Sequence, residues 1–171
     1  FTIQKKKVGF IGTLGFKKNN YLKKRNLTTL DSININKDLH EMKAEGINNV
    51  IIEASSHGLK QKRLNFLNLK AGVFTNLSHD HLDYHKNMSD YLNSKLLLFK
   101  KLLKKKNFVI TDSDIKEYKI LKKITKKKKL KIYTIGSNSN IFKIFNHKIY
   151  NNFQIIKLKY KKNIYDLKIN L

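Results

Sequence analysis

The sequence predicts an α/β domain: a mostly parallel, doubly wound sheet with an antiparallel extension at its C-terminal end. Three observations predict it. Short β-branched runs alternate with longer helical patterns over the first two-thirds of the chain, as parallel α/β sheets require. The helical stretches carry start and stop residues. After Gly136 the pattern changes to alternating apolar and polar residues broken by Asn and Lys turns, which is how antiparallel strands read.

Taken in order, Asp31 predicts the cap of a helix whose apolar stripe is Ile35, Leu39 and Met42, with Gly46 as its stop. Asn49 to Glu53 (NVIIE) then reads as a strand, followed by Ala71 to Thr75 (AGVFT). Ser89 predicts the cap of a second helix running through Tyr91, Leu92, Lys95, Leu96 and Phe99. Phe108 to Thr111 and Lys131 to Ile135 are two further strands, and the lysine run Lys126 to Lys129 between them is a solvated helix end or loop. Phe153 to Tyr160 and Ile164 to Leu171 form the antiparallel extension.

At 171 residues the chain fits one domain. Lysine and arginine number 37 against 12 acidic residues, a net charge of +25. Such an excess draws polyanions. Lys, Asn and Ile are over-used and Pro is absent, as a biased coding composition gives, so the charge alone assigns no partner. Without cysteine there is neither a disulfide nor a thiolate site. No apolar run approaches the roughly 20 residues of a spanning helix, and no secretory pattern opens the chain. The expectation is a cytoplasmic protein, with no membrane or nucleic-acid partner and monomeric.

Two segments place ionisable residues directly after a buried strand, where open α/β sheets bind ligands. The first is Ile51 to Arg63 (IIEASSHGLKQKR). There Glu53 closes an apolar strand beside two serines, a placement that suits a hard divalent cation. The second, Phe74 to His85 (FTNLSHDHLDYH), packs His79, Asp80, His81, Asp83 and His85 together. It resembles the H-x-H-x-D-H run of zinc-dependent hydrolases, but Tyr84 displaces the last histidine by one position and no further histidine follows until His147. Lys95 follows on the next helix, where local rules make it a surface residue.

Read together, the segments resemble the Mur ligases. The strings that carry the likeness are GTLG at Gly12 to Gly15, TTLDS at Thr28 to Ser32, EASSHGLKQKR at Glu53 to Arg63, FTNLSHDHLDYHKNMSDY at Phe74 to Tyr91 and SKLLLF at Ser94 to Phe99. They point to the members that add a diamino acid, meso-diaminopimelate or L-lysine, to UDP-N-acetylmuramoyl-L-alanyl-D-glutamate. A sister ligase of the same family is the alternative.

The resemblance implies that Leu27, Thr28, Thr29, Ser55, Gln61 and Arg63 contact the UDP-muramoyl dipeptide, Leu27 through its backbone alone. It implies that Glu53 and His81 help hold magnesium, and that Lys95 becomes a carbamate that serves as a further oxygen ligand. These three would be the catalytic set, with ATP as co-substrate. No G-x-x-x-x-G-K-[ST] loop can be built on any of the seven glycines. In the family that loop lies shortly before the point where Phe1 stands, and a domain that binds the amino acid follows the point where Leu171 stands. Residues 1–171 are therefore expected to be an incomplete central domain, inactive alone. His79 stands where the family has arginine, and Leu30 where proline is frequent.

Overall fold

The computed structural model describes residues 6–18, 21–139 and 141–171. Contacts divide the chain into two units, Phe1–Leu67 with Asp80–Leu98, and Asn68–His79 with Phe99–Leu171.

The first unit is built on a four-stranded sheet in the order β3-β2-β1-β4. β1 (Val8–Gly12) turns at Thr13 and Leu14 into β2 (Gly15–Lys18), and β3 (Tyr21–Lys23) extends that antiparallel run. Helix α1 (Ser32–Ala44) carries the chain to β4 (Asn49–Ile52), which pairs parallel with β1, Val8 opposite Asn49 and Ile11 opposite Ile52. This register brings the carboxyl ends of β1 and β4 level, so that Thr13 and Glu53 emerge side by side. Asp31 caps α1 as predicted, its carboxylate accepting the Asn34 N–H at 3.0 Å, a bond worth about 1 kcal/mol. Gly46, at φ 73°, ends it. Ile11 and Phe16 of the sheet bury themselves against Met42 of α1 and Ile47.

Two further helices complete this unit. Ser55 caps the short α2 (Ser56–Lys60), accepting the Gly58 N–H at 3.1 Å. Helix α3 (Met88–Leu97) packs against α2, and the Lys60 ammonium meets the Asp90 carboxylate at 2.6 Å. The expected Ser89 cap is corrected: Asn87 caps α3, its side-chain oxygen accepting the Asp90 N–H at 2.9 Å, while Ser89 lies inside the first turn. Both residues are good caps, and the first turn begins at whichever leaves the buried face, Tyr91 and Ser94, directed inward.

The second unit holds a six-stranded sheet in the order β10-β9-β8-β7-β6-β5. β5 (Ala71–Phe74), β6 (Phe108–Asp112) and β7 (Lys131–Gly136) are parallel, with α4 (Tyr118–Lys128) between β6 and β7. After Gly136 the direction changes as expected. β8 (Phe142–Ile149) touches β7 in parallel over two residues, then pairs antiparallel with β9 (Phe153–Tyr160), which pairs antiparallel with β10 (Asn163–Asn170). The lysine run is indeed a helix end: Lys126 to Lys128 close α4, where cations meet the negative end of the helix dipole. Lys128 is the exception to solvation there, donating to the carbonyls of Lys100 at 2.9 Å and Leu103 at 2.6 Å. The fold is thus the mixed α/β architecture expected, with its parallel strands divided between two sheets.

Candidate functional site

All the site residues predicted from sequence lie in the first unit, and they form two groups. The first gathers at the carboxyl ends of β1 and β4. The Glu53 N–H donates to the Ile11 carbonyl at 2.8 Å, which continues the ladder and fixes the residue at the rim. Its Oε2 accepts the Thr13 N–H at 2.8 Å and the Thr13 hydroxyl at 2.9 Å, and that hydroxyl also lies 3.0 Å from Thr28 Oγ1. Thr29 is buried and ties three segments together. Its hydroxyl donates to the Glu53 carbonyl at 2.7 Å and accepts the Ser55 N–H at 2.9 Å, while its own carbonyl accepts from the Arg63 guanidinium at 2.6 Å. Glu53, Thr28, Thr29, Ser55 and Arg63 are therefore one hydrogen-bonded set. Leu27 stands outside it with its side chain exposed.

The second group is a cluster of rings on α2, α3 and the segment before α3. His57 lies 5.5 Å from His81, 3.8 Å from Tyr84 and 5.5 Å from His85, ring centroid to ring centroid. Tyr91 packs edge-on against His81 at 5.5 Å and stacks on His85 at 5.1 Å. The Lys95 ammonium lies 5.0 Å from the Tyr91 ring centroid, one helical turn away. Gln61 reaches this group as well, donating to the Tyr84 hydroxyl at 3.1 Å. Short α2 joins the two groups, with Ser55 at its start and His57 in its first turn.

His81 stands at φ 55°, the left-handed region that histidine enters more readily than most residues. Asp80 supports that turn, accepting the His81 N–H at 2.7 Å, and leaves the imidazole exposed. His85 has the opposite fate. It is buried, with Nε2 2.9 Å from the Ser56 hydroxyl and Nδ1 3.5 Å from Asp90, too long for a good hydrogen bond. Ser56 is itself buried, so this serine, histidine and aspartate brace α2 against α3 and present no nucleophile to a substrate.

The occupation of His85 removes it from the zinc set that the histidine-rich segment first brings to mind. Among the described residues no three His, Asp or Glu side chains gather as a metal would need. The donors at the rim are oxygens, the Glu53 carboxylate and the Thr13 and Thr28 hydroxyls, whereas His81 and Lys95 belong to the ring group. Oxygen donors of that kind suit a hard cation such as magnesium better than zinc.

Sequence reasoning missed the rings. His57 and Tyr91 each sit in a matched string, but nothing in the string says they touch His81. Burial, and then the charges of His81 and His85, hold His57 below the ordinary imidazole value of 6.5. Below that value the unfolded chain takes up a proton that the folded chain refuses. Stability is therefore expected to fall as the pH drops from 6.5 to the lower folded value, and to be unaffected by this group above 6.5. Thermal unfolding followed between about pH 7 and 5 should show the decline, and His57→Gln should flatten it; an unchanged slope would assign the decline to another group.

Level carboxyl ends of parallel strands are where α/β domains generally bind their ligands. Comparison with known proteins gives the family: residues 2–171 match the Mur ligase middle domain, and the chain belongs to the Mur ligase family. A curated relative from Leptospira interrogans, named UDP-N-acetylmuramoyl-L-alanyl-D-glutamate–2,6-diaminopimelate ligase, is 49% identical over 105 residues, covering 61% of this chain and 21% of the relative. One of the same name from Rickettsia typhi is 37% identical over 169 residues, covering 88% of this chain and 34% of the relative. A solved structure of a ligase with that name superposes with a TM-score of 0.82 at 27% identity, over 97% of this chain and 34% of that one. The apo form of L. casei FPGS shares the fold alone, with a TM-score of 0.65 at 10% identity over 96% of this chain and 46% of that one. The chain thus spans between a fifth and about a third of the length of these curated relatives.

Proposed function

We propose that the chain is the central domain of an ATP-dependent ligase that joins meso-diaminopimelate to UDP-N-acetylmuramoyl-L-alanyl-D-glutamate in peptidoglycan synthesis. The observation that carries this reading is the rim itself. Glu53, Thr28, Thr29, Ser55 and Arg63, which the family resemblance assigns to cation and muramoyl dipeptide, form one hydrogen-bonded set in the first unit. The names of the relatives favour diaminopimelate over lysine.

The reaction has two steps. A γ-carboxylate oxygen of the D-glutamate attacks the γ-phosphorus of ATP, and ADP leaves. The amine of the diamino acid then attacks the acyl carbon, phosphate leaves, and the amine loses a proton as the amide forms. Phosphoryl transfer is mostly positioning and charge neutralisation. Magnesium, held by Glu53, His81 and a Lys95 carbamate, would supply the neutralising charge at the phosphates. The chain's own part is to hold the acceptor. Thr28 and Ser55 offer hydroxyls at the rim, Gln61 an amide, and Arg63, by bracing Thr29, fixes the loop from which Thr28 projects. Its setting is cytoplasmic, and no helix among the described residues is long and apolar enough to cross a membrane.

Such an activity needs a phosphate-binding loop, which these 171 residues do not contain. Mixed with ATP, magnesium, the muramoyl dipeptide and diaminopimelate, the chain alone is expected to release no phosphate above background. Supplied within one polypeptide with that loop and an amino-acid-binding domain, it should release phosphate in proportion to diaminopimelate. Clear turnover by the chain alone would overturn the account, and turnover only with a different muramoyl acceptor would assign the chain to a sister ligase.

A further inference from the structure

Tyr91 is the buried ring on which both His81 and Lys95 rest, and nothing in the reaction above uses it. It is 4% exposed and sits in the first half of α3. Its ring meets His81 edge-on, with planes 83° apart. The Lys95 side chain comes back toward it from one turn further along the helix, the direction in which helical side chains lean. On another side the ring stacks on His85, at an interplanar angle of 25°. His85 cannot yield, because it is wholly buried and bonded to Ser56 on α2. The backing is continued by the Lys60–Asp90 pair, which ties α2 to α3.

We propose that Tyr91 is a positioning residue, whose ring, backed by the His85–Ser56 pair, sets the places from which His81 and Lys95 present their donors. The inference rests on the reading of those two residues as cation ligands. Exposed His81 has a left-handed backbone and, beyond Asp80, rests on the Tyr91 and His57 rings; without them its imidazole would sample many rotamers. Lys95 has four rotatable side-chain bonds, and the Tyr91 ring under its ammonium removes part of that freedom before a ligand arrives. Each contact is made by the ring, so the ring and not the hydroxyl carries the role. Residues that orient metal ligands without touching the metal are worth on the order of 10- to 100-fold in metal affinity.

The experiment uses the chain with labelled histidine and lysine, in native form and as Tyr91→Phe, Tyr91→Leu and Tyr91→Met. Two quantities are read: the resonances of the His81 ring and the Lys95 ε-methylene without metal, and the affinity for manganese(II) as a probe in bicarbonate buffer. The phenylalanine variant should match the native chain in both. The leucine and methionine variants should lose the part of the ring-current shifts of His81 and Lys95 that Tyr91 supplies and bind manganese about tenfold more weakly. Methionine, a flexible side chain that fills irregular gaps, serves should the leucine variant fail to fold. Native resonances and affinity in a folded ring-less variant would overturn the proposal, as would a phenylalanine variant as weak as leucine. If the native chain bound no manganese, the ligand reading would fall, while the resonances would still decide whether Tyr91 holds the two side chains.

Discussion

Lys95→Arg is expected to lower diaminopimelate-dependent phosphate release by about 100- to 1000-fold, the loss that follows when one charge-stabilising group is removed from a reaction centre. The reason lies in what each side chain can become. A neutral ε-amine attacks carbon dioxide, loses a proton and is left as an anionic carbamate with oxygens to offer a cation. A guanidinium stays protonated and offers none. Arginine keeps much of the length and the charge of the unmodified lysine, and it can still stack on Tyr91, so packing is nearly conserved while the anionic oxygen ligand is lost. Lys95→Glu tests the same point from the other side. It supplies a carboxylate directly, on a shorter stem, and should retain more activity than arginine. It should also be indifferent to removal of carbon dioxide, which should slow the native enzyme. The assay is phosphate release by a polypeptide that joins this chain to a phosphate loop and an amino-acid-binding domain. An arginine variant as fast as the native enzyme would show that Lys95 acts, if at all, as a cation.

How much of this was legible beforehand differs from element to element, for physical reasons. β4, β5, β6 and β7 were plain because buried parallel strands read as short β-branched runs. Both ends of α1 were plain because Asp31 starts it and Gly46 stops it. β1 to β3 were not: Val8 to Lys23 is broken by glycines and lysines, and its pairing is decided by a hairpin that periodicity does not reveal. Nor was α2, five residues with a glycine inside, which local propensity would not make helical. It stands because Ser55 caps it and because it packs on α3. That helix joins the oxygen-rich rim to the rings, so the element hardest to read is the one that unites the site. Glu53, His81 and Lys95 were visible as residues in matched strings. Thr29 and Tyr91 were visible there too, but their supporting roles were not, because burial and contact are properties of the folded chain.

Gly58→Ala should lower stability by about 1 to 3 kcal/mol. A Cβ at position 58 would lie 2.6 Å from Thr29 Cγ2 and 2.7 Å from Thr29 Cβ, well inside van der Waals contact. Thr29 is 1% exposed, so it cannot swing into solvent to make room. It is also bonded on every polar atom the site uses: hydroxyl to Glu53 and Ser55, carbonyl to Arg63. Relief by moving α2 away from Thr29 would stretch the Ser55 bond and carry His57 with it; relief by moving Thr29 would loosen Glu53 and Thr28. Either way the strain appears as weaker binding of the UDP-muramoyl dipeptide as well as a lower urea midpoint, whereas a core substitution far from the rim would show only the second. Thr29→Ser provides the control, since it removes the methyl carbon nearest the new Cβ and keeps the hydroxyl. The two changes should be non-additive, with Gly58→Ala costing clearly less in the serine background. Equal costs in both backgrounds would mean that the strain is relieved elsewhere, and that Thr29 is not the fixed point around which strand end, loop and helix are assembled.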